Sequence, residues 1–396
     1  MQILLSYILA GGILLFAFLL AMEIKKKNMH IWLWSYISTQ NAKPQPGQPI
    51  HIMFAFCDHF EPRWGDASPQ EEDHRVDRWC NEYPRLAAKH KDADGCYPKH
   101  SFFYPEEEYS PRHLEKIAKL CADGFGEIEI HIHHDNDTAE GLTATLRDFL
   151  KTLDQNHGAI PVDKDAGEYR FAFIHGNWAL DNSRADGRWC GVNNELKVLR
   201  ELGCYADFTL PSAPSDTQTA KINSLYYATG RDGQCKSHNT GVDVEVGKQG
   251  HGDLMIIQGP LRLNWRNRKF GLFPRIENSD IRRNSPPTLE RINLWIKSAI
   301  QVKKQPNWIF VKIHTHGTQE GDMDTLLGEP TDQMFSYLET QFNDGDKYIL
   351  HYVSAREMYN IVKAAEAGVS GSPNEFRDYV IPPPPLMDTP GNNSSD

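Results

Sequence analysis

The chain is predicted to be an α/β protein: a (β/α) barrel preceded by one N-terminal transmembrane helix. Three observations carry this. Strand-like and helix-like segments alternate in seven or eight units after Ile50, as they do in parallel sheets covered by helices. A charge-free apolar run occupies Ile3 to Met22, about the 20 residues a helix needs to cross a bilayer. Histidines and acids gather at the carboxyl ends of apolar strands, where barrel proteins place their chemistry.

The N-terminal run is "ILLSYILAGGILLFAFLLAM", followed by Lys25, Lys26 and Lys27. No lysine or arginine precedes it and no small-x-small cleavage site follows, so it reads as a retained anchor and not as a signal peptide. The positive-inside rule then gives a single-pass membrane protein whose domain faces the cytoplasm. "HIWLWSYI" adds Trp32, Trp34 and Tyr36, which suit the headgroup level of a bilayer or, equally, a first buried segment of the domain. The organisation expected is an anchor over 1–24, a juxtamembrane segment and proline-rich linker over 25–49, the barrel over 50–381 and a disordered tail over 382–396.

Along the barrel, "IHIMFAF" reads as a buried strand. A helix follows from Glu71, broken near Pro84. "SPRHLEKIAKLCADG" has Ser110 as N-cap, Pro111 in the first turn and Gly124 past the end. "EIEIHI", "YRFAFIH", "CYADFTL", "NWIFVKIHTHG" and "KYILHYVS" read as further strands separated by helical segments, with "AREMYNIVKAAEAG" the last helix. The stretch from Pro211 to about Arg283 is irregular, with "DLMIIQG" its best strand.

Composition limits the function. The 396 residues are 40% hydrophobic with net charge -11, from 42 basic and 53 acidic side chains. A nucleic-acid partner is excluded on this balance, since phosphate neutralisation needs a basic surface. The seven cysteines form no Cys-x-x-Cys pair, which argues against a disulfide framework and a cysteine zinc site.

The chemistry-bearing strand is "GEIEIHIHHDND". Ile128, Ile130 and Ile132 share one face; Glu127, Glu129, His131 and His133 share the other, with His134, Asp135 and Asp137 beyond. Burying that many charges is costly unless they are paired or bind a metal, and imidazole with carboxylate suits Zn²⁺ and similar ions. "WIFVKIHTHG" repeats the pattern with His314 and His316 opposite Ile309, Val311 and Ile313. The first strand ends at Asp58, His59 and Glu61, and a carboxylate here could bind metal or take a proton from water. "FIHGNWALDNSR" ends another strand with His175, Asn177, Trp178 and Asp181, a polar-plus-tryptophan loop suited to a sugar ring.

These segments resemble the polysaccharide deacetylase family of the glycoside hydrolase/deacetylase barrel superfamily. "CDHFEP" stands at the family's first-strand acidic pair, "EIEIHIHHD" at its histidine motif and "FVKIHTHG" at its late histidine; "HYVSAREMYNIV" is also similar. The resemblance spans roughly Ile50 to Ala367. It implies a distorted barrel of about seven strands and metal-dependent removal of N- or O-acyl groups from a carbohydrate, a polysaccharide or a lipid-linked glycan precursor. It further implies a divalent ion, Zn²⁺ first with Co, Ni, Fe or Mn as alternatives, held among His59, His131, His133, His134 and Asp135. Asp58 is then the base, His314 or His316 the acid, and Asn177, Trp178 and Asp181 bind substrate. The family's second aspartate is here His59, its second motif histidine is Asp135, and "HGNWALDNS" replaces its Arg-x-Pro-x-Gly motif.

Two other readings stand beside it. A glycosidase on the same barrel needs two carboxylates flanking the bond, for which Glu61, Glu129, Asp135 and Asp181 are candidates. A non-catalytic glycan-binding or assembly protein would keep the loops without the chemistry.

Overall fold

The computed structural model describes residues 2–39, 41–163 and 167–386. Its strands are β1 (Ile50–His59), β2 (His100–Pro105), β3 (Gly126–Ile132), β4 (Val162–Asp163), β5 (Glu168–Tyr169), β6 (Phe171–His175), β7 (Cys204–Asp207), β8 (Leu225–Ala228), β9 (Val242–Asp243), β10 (Leu254–Ile257), β11 (Arg262–Lys269), β12 (Phe273–Glu277), β13 (Asp280–Ile281), β14 (Trp308–Thr315) and β15 (Tyr348–Val353). The helices are α1 (Gln2–Lys26), α2 (Met29–Ser38), α3 (Pro69–Ala87), α4 (Pro111–Leu120), α5 (Ala139–His157), α6 (Glu195–Glu201), α7 (Leu289–Lys297), α8 (Glu320–Leu326), α9 (Glu329–Phe342) and α10 (Ala355–Ala367).

The central sheet runs β13-β14-β1-β2-β3-β6-β7-β10-β8-β9. Pairing is parallel from β13 to β10 and antiparallel only at β8 and β9. β15 pairs with Ile50–Ala55 of β1, and β2 takes over at Phe56–His59. The result is a mostly parallel, barrel-like α/β sheet with more strands than the seven expected.

Side-chain alternation divides the interior into two layers. Ile52, Phe54, Ile128, Ile130, Ile309, Val311 and Ile313 pack under the outer helices. Met53, Ala55, Cys57, Ile174 and Phe310 face the other way, against Met358, Ile361 and Val362 of α10. α10 is fixed there by a capping box from Ser354 and Glu357. Arg356 bonds Glu127 at 2.7 Å, and Arg377 bonds Glu357 at 3.1 Å and Asp92 at 3.1 Å. Every strand with a candidate chemical residue thus presents its carboxyl end at one rim, away from this plug.

Three local expectations change. α3 continues through Pro84 to Ala87, because proline in the last turn forfeits only one bond of a helix already held by a Ser68–Glu71 capping box. Ser110 occupies the N-cap of α4 without a side-chain cap bond. The irregular stretch after Pro211 contains β8, β9, β10 and the β11–β12 hairpin.

The N-terminal run forms α1, but among the described residues no helix is long and apolar enough to cross a membrane. The side chains of residues 2–6 and 8 lie outside the described set. The transmembrane anchor and the bilayer as a partner therefore have no support in the structure. α2 is built into the domain: Trp32 is fully buried with Met29, Ile222, Leu261 and Leu263, while Trp34 stays exposed. Nor does the proline-rich segment behave as a loose linker. Asn307 Nδ2 donates to the carbonyls of Gln45, Gln48 and Pro49, and Gln301 Nε2 donates to Ala42 O. In the tail, Leu386 N donates to Gly158 O; residues 387–396 lie outside the described ones.

Candidate active site at the carboxyl ends of the strands

β3 orders its polar face by depth. Glu127, farthest from the rim at the amino end of the strand, takes the Arg356 guanidinium and the Ser354 hydroxyl. Glu129 accepts from Tyr205 and from Ala172 N at 2.6 Å; burial pushes its carboxyl up to about 8 despite those donors. Both acids are structural. His131 is the first group at the rim, and it begins the site.

His131 Nδ1 lies 2.7 Å from Ile174 O, a carbonyl that can only accept, so Nδ1 carries the proton. Its Nε2 points at Glu61 Oε1, 3.1 Å away. His133, in the loop after β3, repeats this: Nδ1 is 2.6 Å from Glu107 Oε1 and Nε2 is 3.4 Å from the same Glu61 oxygen. His59 and His316 complete the ring, stacked with centroids 4.6 Å apart, and His59 stands edge-on to His131 at 4.9 Å. Two overlapping groups, His59–Glu61–His316 and Glu61–His131–His133, share Glu61, and each has its donor atoms within 4.8 Å of one another.

A cation suits this arrangement. Two imidazole Nε2 atoms whose Nδ1 protons are already committed face one carboxylate oxygen. Either the rings are doubly protonated or a positive ion sits between them. His59 Nε2 is buried without a partner, an orphan that a bound ion or a water beside it would resolve. Nitrogen with carboxylate oxygen is a donor set for Zn²⁺ or a related divalent ion. The Ile174 and Glu107 bonds are the outer contacts that orient metal-ligating histidines.

The electrostatics divide the residues. Burial works against the Glu61 charge, but the His131 hydrogen bond and the charges of His316, His131 and His133 outweigh it and pull its carboxyl down to about 2. Burial opposes a charge on His133 too, yet its bond to Glu107 and the nearby acids raise its pKa. His59 is held well below its ordinary value by burial and by His316 and His131, so it stays a neutral base. On His316, Nδ1 accepts from Arg282 Nη2 at 3.3 Å, which leaves the proton of the neutral ring on Nε2.

The remaining expected residues fall elsewhere. Asp58 is fully buried and committed: Oδ2 bonds His100 Nε2 at 2.8 Å and Oδ1 accepts from Gly317 N at 2.6 Å. It shapes the turn after His316, where a Cβ on Gly317 would meet Asp58 Oδ2 at 1.9 Å. His314 lies deeper, 4.0 Å from Asp280, with Nδ1 unpartnered, and joins neither group. Asp135 is exposed and caps the loop through Trp189 N at 2.6 Å. Asp181 is buried, accepting from Ser237 N at 2.6 Å. Among the substrate-binding candidates, Trp178 stands over the site, half-buried, 5.7 Å from the His316 ring and 6.0 Å from His59. Asn177 is half-buried beside it. His134 turns away from Glu61 toward His175.

Sequence reasoning missed Glu107 and Arg282. Glu107 had a signal, three glutamates directly after the apolar strand "HSFFYP". Surface hollows lie elsewhere: one of about 800 Å³ is lined by Asn41, Lys43, Ile50, Ile309 and Tyr348, at the amino ends of the strands.

No family model matches the chain, and no curated protein matches it. Among solved structures, a 4-alpha-glucanotransferase from Thermococcus litoralis is similar at 10% identity and a TM-score of 0.37, over 78% of this chain and 40% of that one. The chain thus spans well under half the length of that protein. A likeness this slight carries no argument about activity, and the resemblance to deacetylases gains no support from these comparisons.

Proposed function

We propose that the chain is a metal-dependent hydrolase that removes an N- or O-acyl group from a carbohydrate at the Glu61 cluster. The observation that supports it is the convergence of two oriented imidazoles, His131 and His133, on one buried carboxylate, with neutral His59 and His316 alongside. Glu61, His131 and His133 would hold the ion, with His59 in reach. When bound, a divalent ion lowers the pKa of water and polarises an acyl carbonyl.

The protein groups have distinct tasks. His59, kept neutral, takes a proton from the attacking water. His316, with Nδ1 occupied by Arg282, donates an Nε2–H hydrogen bond to the departing amine or alkoxide, which receives the proton that His59 took from water. The acyl C–N or C–O bond breaks, water supplies the new C–O bond, and both rings end the step neutral. Asp58 positions His316 through the Gly317 amide. Trp178 offers an apolar face against which a pyranose ring packs. In this reading His59 is the base in place of Asp58, because both Asp58 oxygens are hydrogen-bonded.

A second reading has one observation in its favour. Glu61 and Glu107 lie at opposite ring nitrogens of His133, a carboxylate pair of the kind glycosidases use. Product analysis separates the two readings: purified full-length chain is incubated with acetylated oligosaccharides, and acetate and new reducing ends are measured. Acetate release that disappears in Glu61→Gln supports the deacylase; reducing ends without acetate replace it with the glycosidase.

A further inference from the structure

We propose that His134, His175, Cys190 and Glu195 form a second cation site, structural in role and best suited to zinc, which pins the loop carrying Trp178. The four come from four places: the loop after β3, the last residue of β6, the 176–194 loop and the first residue of α6. Their donor atoms all lie within 4.8 Å of one another.

The protons are again committed elsewhere. His175 Nδ1 lies 2.6 Å from Gly176 O and His134 Nδ1 lies 3.0 Å from Asp137 Oδ2. The two Nε2 atoms therefore face each other as lone pairs, 2.8 Å apart. Glu195 Oε1 stands 3.2 Å from one and 3.3 Å from the other. Three acceptors in one buried triangle repel unless a proton or a metal cation joins them, and a metal also accounts for Cys190 beside them. The two edges to Glu195 match tetrahedral zinc, whose nitrogen ligands at about 2.0–2.1 Å lie about 3.3 Å apart, and the shorter His134–His175 edge would open by about 0.5 Å on binding. Cys190 Sγ, 3.6 Å from Glu195 Oε2, supplies the fourth corner. Glu195 is itself aimed by the Asp181 amide at 2.6 Å, so each nitrogen or oxygen ligand has an outer contact that fixes it. Beside the cluster, His238 is fully buried with neither ring nitrogen partnered.

The loop gives the site its purpose. Asn177, Trp178, Asp181, Asn182 and Trp189 all have left-handed backbone angles, φ between 52° and 65°. Such a run is unfavourable on its own and persists where surroundings over-determine it. A cation tying both ends of the loop to two strands does so, and it holds Trp178 over His59 and His316.

Cys190 makes the proposal separable from the Glu61 site, because it is the one cysteine among the described metal-capable groups. Zinc content and zinc-edge X-ray absorption are measured on full-length parent, Glu61→Gln and Cys190→Ser proteins. The expected results are a sulfur neighbour at about 2.3 Å in the parent and in Glu61→Gln, and one equivalent of zinc lost from Cys190→Ser. Chelation of the parent is expected to sensitise the exposed loop to trypsin at Arg188. Zinc with only nitrogen and oxygen neighbours in the parent, or no zinc at all, overturns the site. Glu61→Gln holding as much metal as the parent, with sulfur still present, overturns the Glu61 centre alone. If Cys190→Ser does not fold, the absorption spectra of the other two proteins decide.

Discussion

In the proposed reading, Glu61 is the residue on which the chemistry turns. It is 5% exposed and is faced by two imidazoles whose other nitrogens are spoken for. Glu61→Gln keeps its volume and removes its charge; metal content at that centre is expected to fall by one equivalent and kcat/KM by about 10²-fold or more, since the outer contacts of such sites alone are worth about 10–100-fold. His316→Asn is expected to lower kcat by about 10²-fold with little change in KM, as loss of a donor to charge that develops only in the transition state does. Trp178→Ala, by contrast, should raise KM with kcat nearly intact, because an apolar wall binds substrate and transition state alike. Steady-state kinetics on one acylated substrate distinguishes all three. Asp58 was open to misreading at this scale. Its position at the end of the first strand suggests a base, yet its partner His100 opens β2 and its second donor is the Gly317 amide, neither of which is near it in sequence.

At the scale of elements, β3 and β14 were the most legible parts of the chain. Their period-two alternation separates Ile128, Ile130, Ile132, Ile309, Val311 and Ile313 from the polar face, and the structure buries those isoleucines and Val311 in one layer. Periodicity tells which face a residue occupies but not how deep it sits. Glu127, Glu129 and His131 share one face, and only the last reaches the rim. Nor does spacing reveal a mixed ligand set: His134, His175, Cys190 and Glu195 meet through topology, which a search for Cys-x-x-Cys cannot find. The apolar N-terminal run was read as a bilayer span on hydropathy, yet no described helix meets that requirement.

The α10 element supports a prediction of its own. Glu357 is buried between Lys99 and Arg377 and caps its own helix through Ser354 N at 3.0 Å. Burial raises its pKa, but Lys99, Arg377 and Arg356 overcome that and hold it at about 2, against an ordinary 4.5. A carboxyl depressed in the folded state stabilises fully above its unfolded value and loses that contribution as protons are taken up. Stability should therefore fall as pH drops from about 4.5 toward 2. Glu357→Gln should cost about 3 kcal/mol at pH 7, the loss typical when one partner of a buried pair is removed, and should flatten that acid limb. Urea titrations across the pH range check both.

For the molecule as a whole, the parallel sheet sends the ends of β1, β2, β3, β6 and β14 to one rim, and α10 closes the opposite side. This explains why residues as distant in sequence as His59, His131 and His316 meet. The measurement that tests the account most directly is product release by the full-length chain on an acetylated oligosaccharide, made alongside its Glu61→Gln variant. The account predicts acetate from the parent, none above background from the variant, and no new reducing ends from either. Reducing ends from the parent, or equal acetate from both proteins, would contradict it.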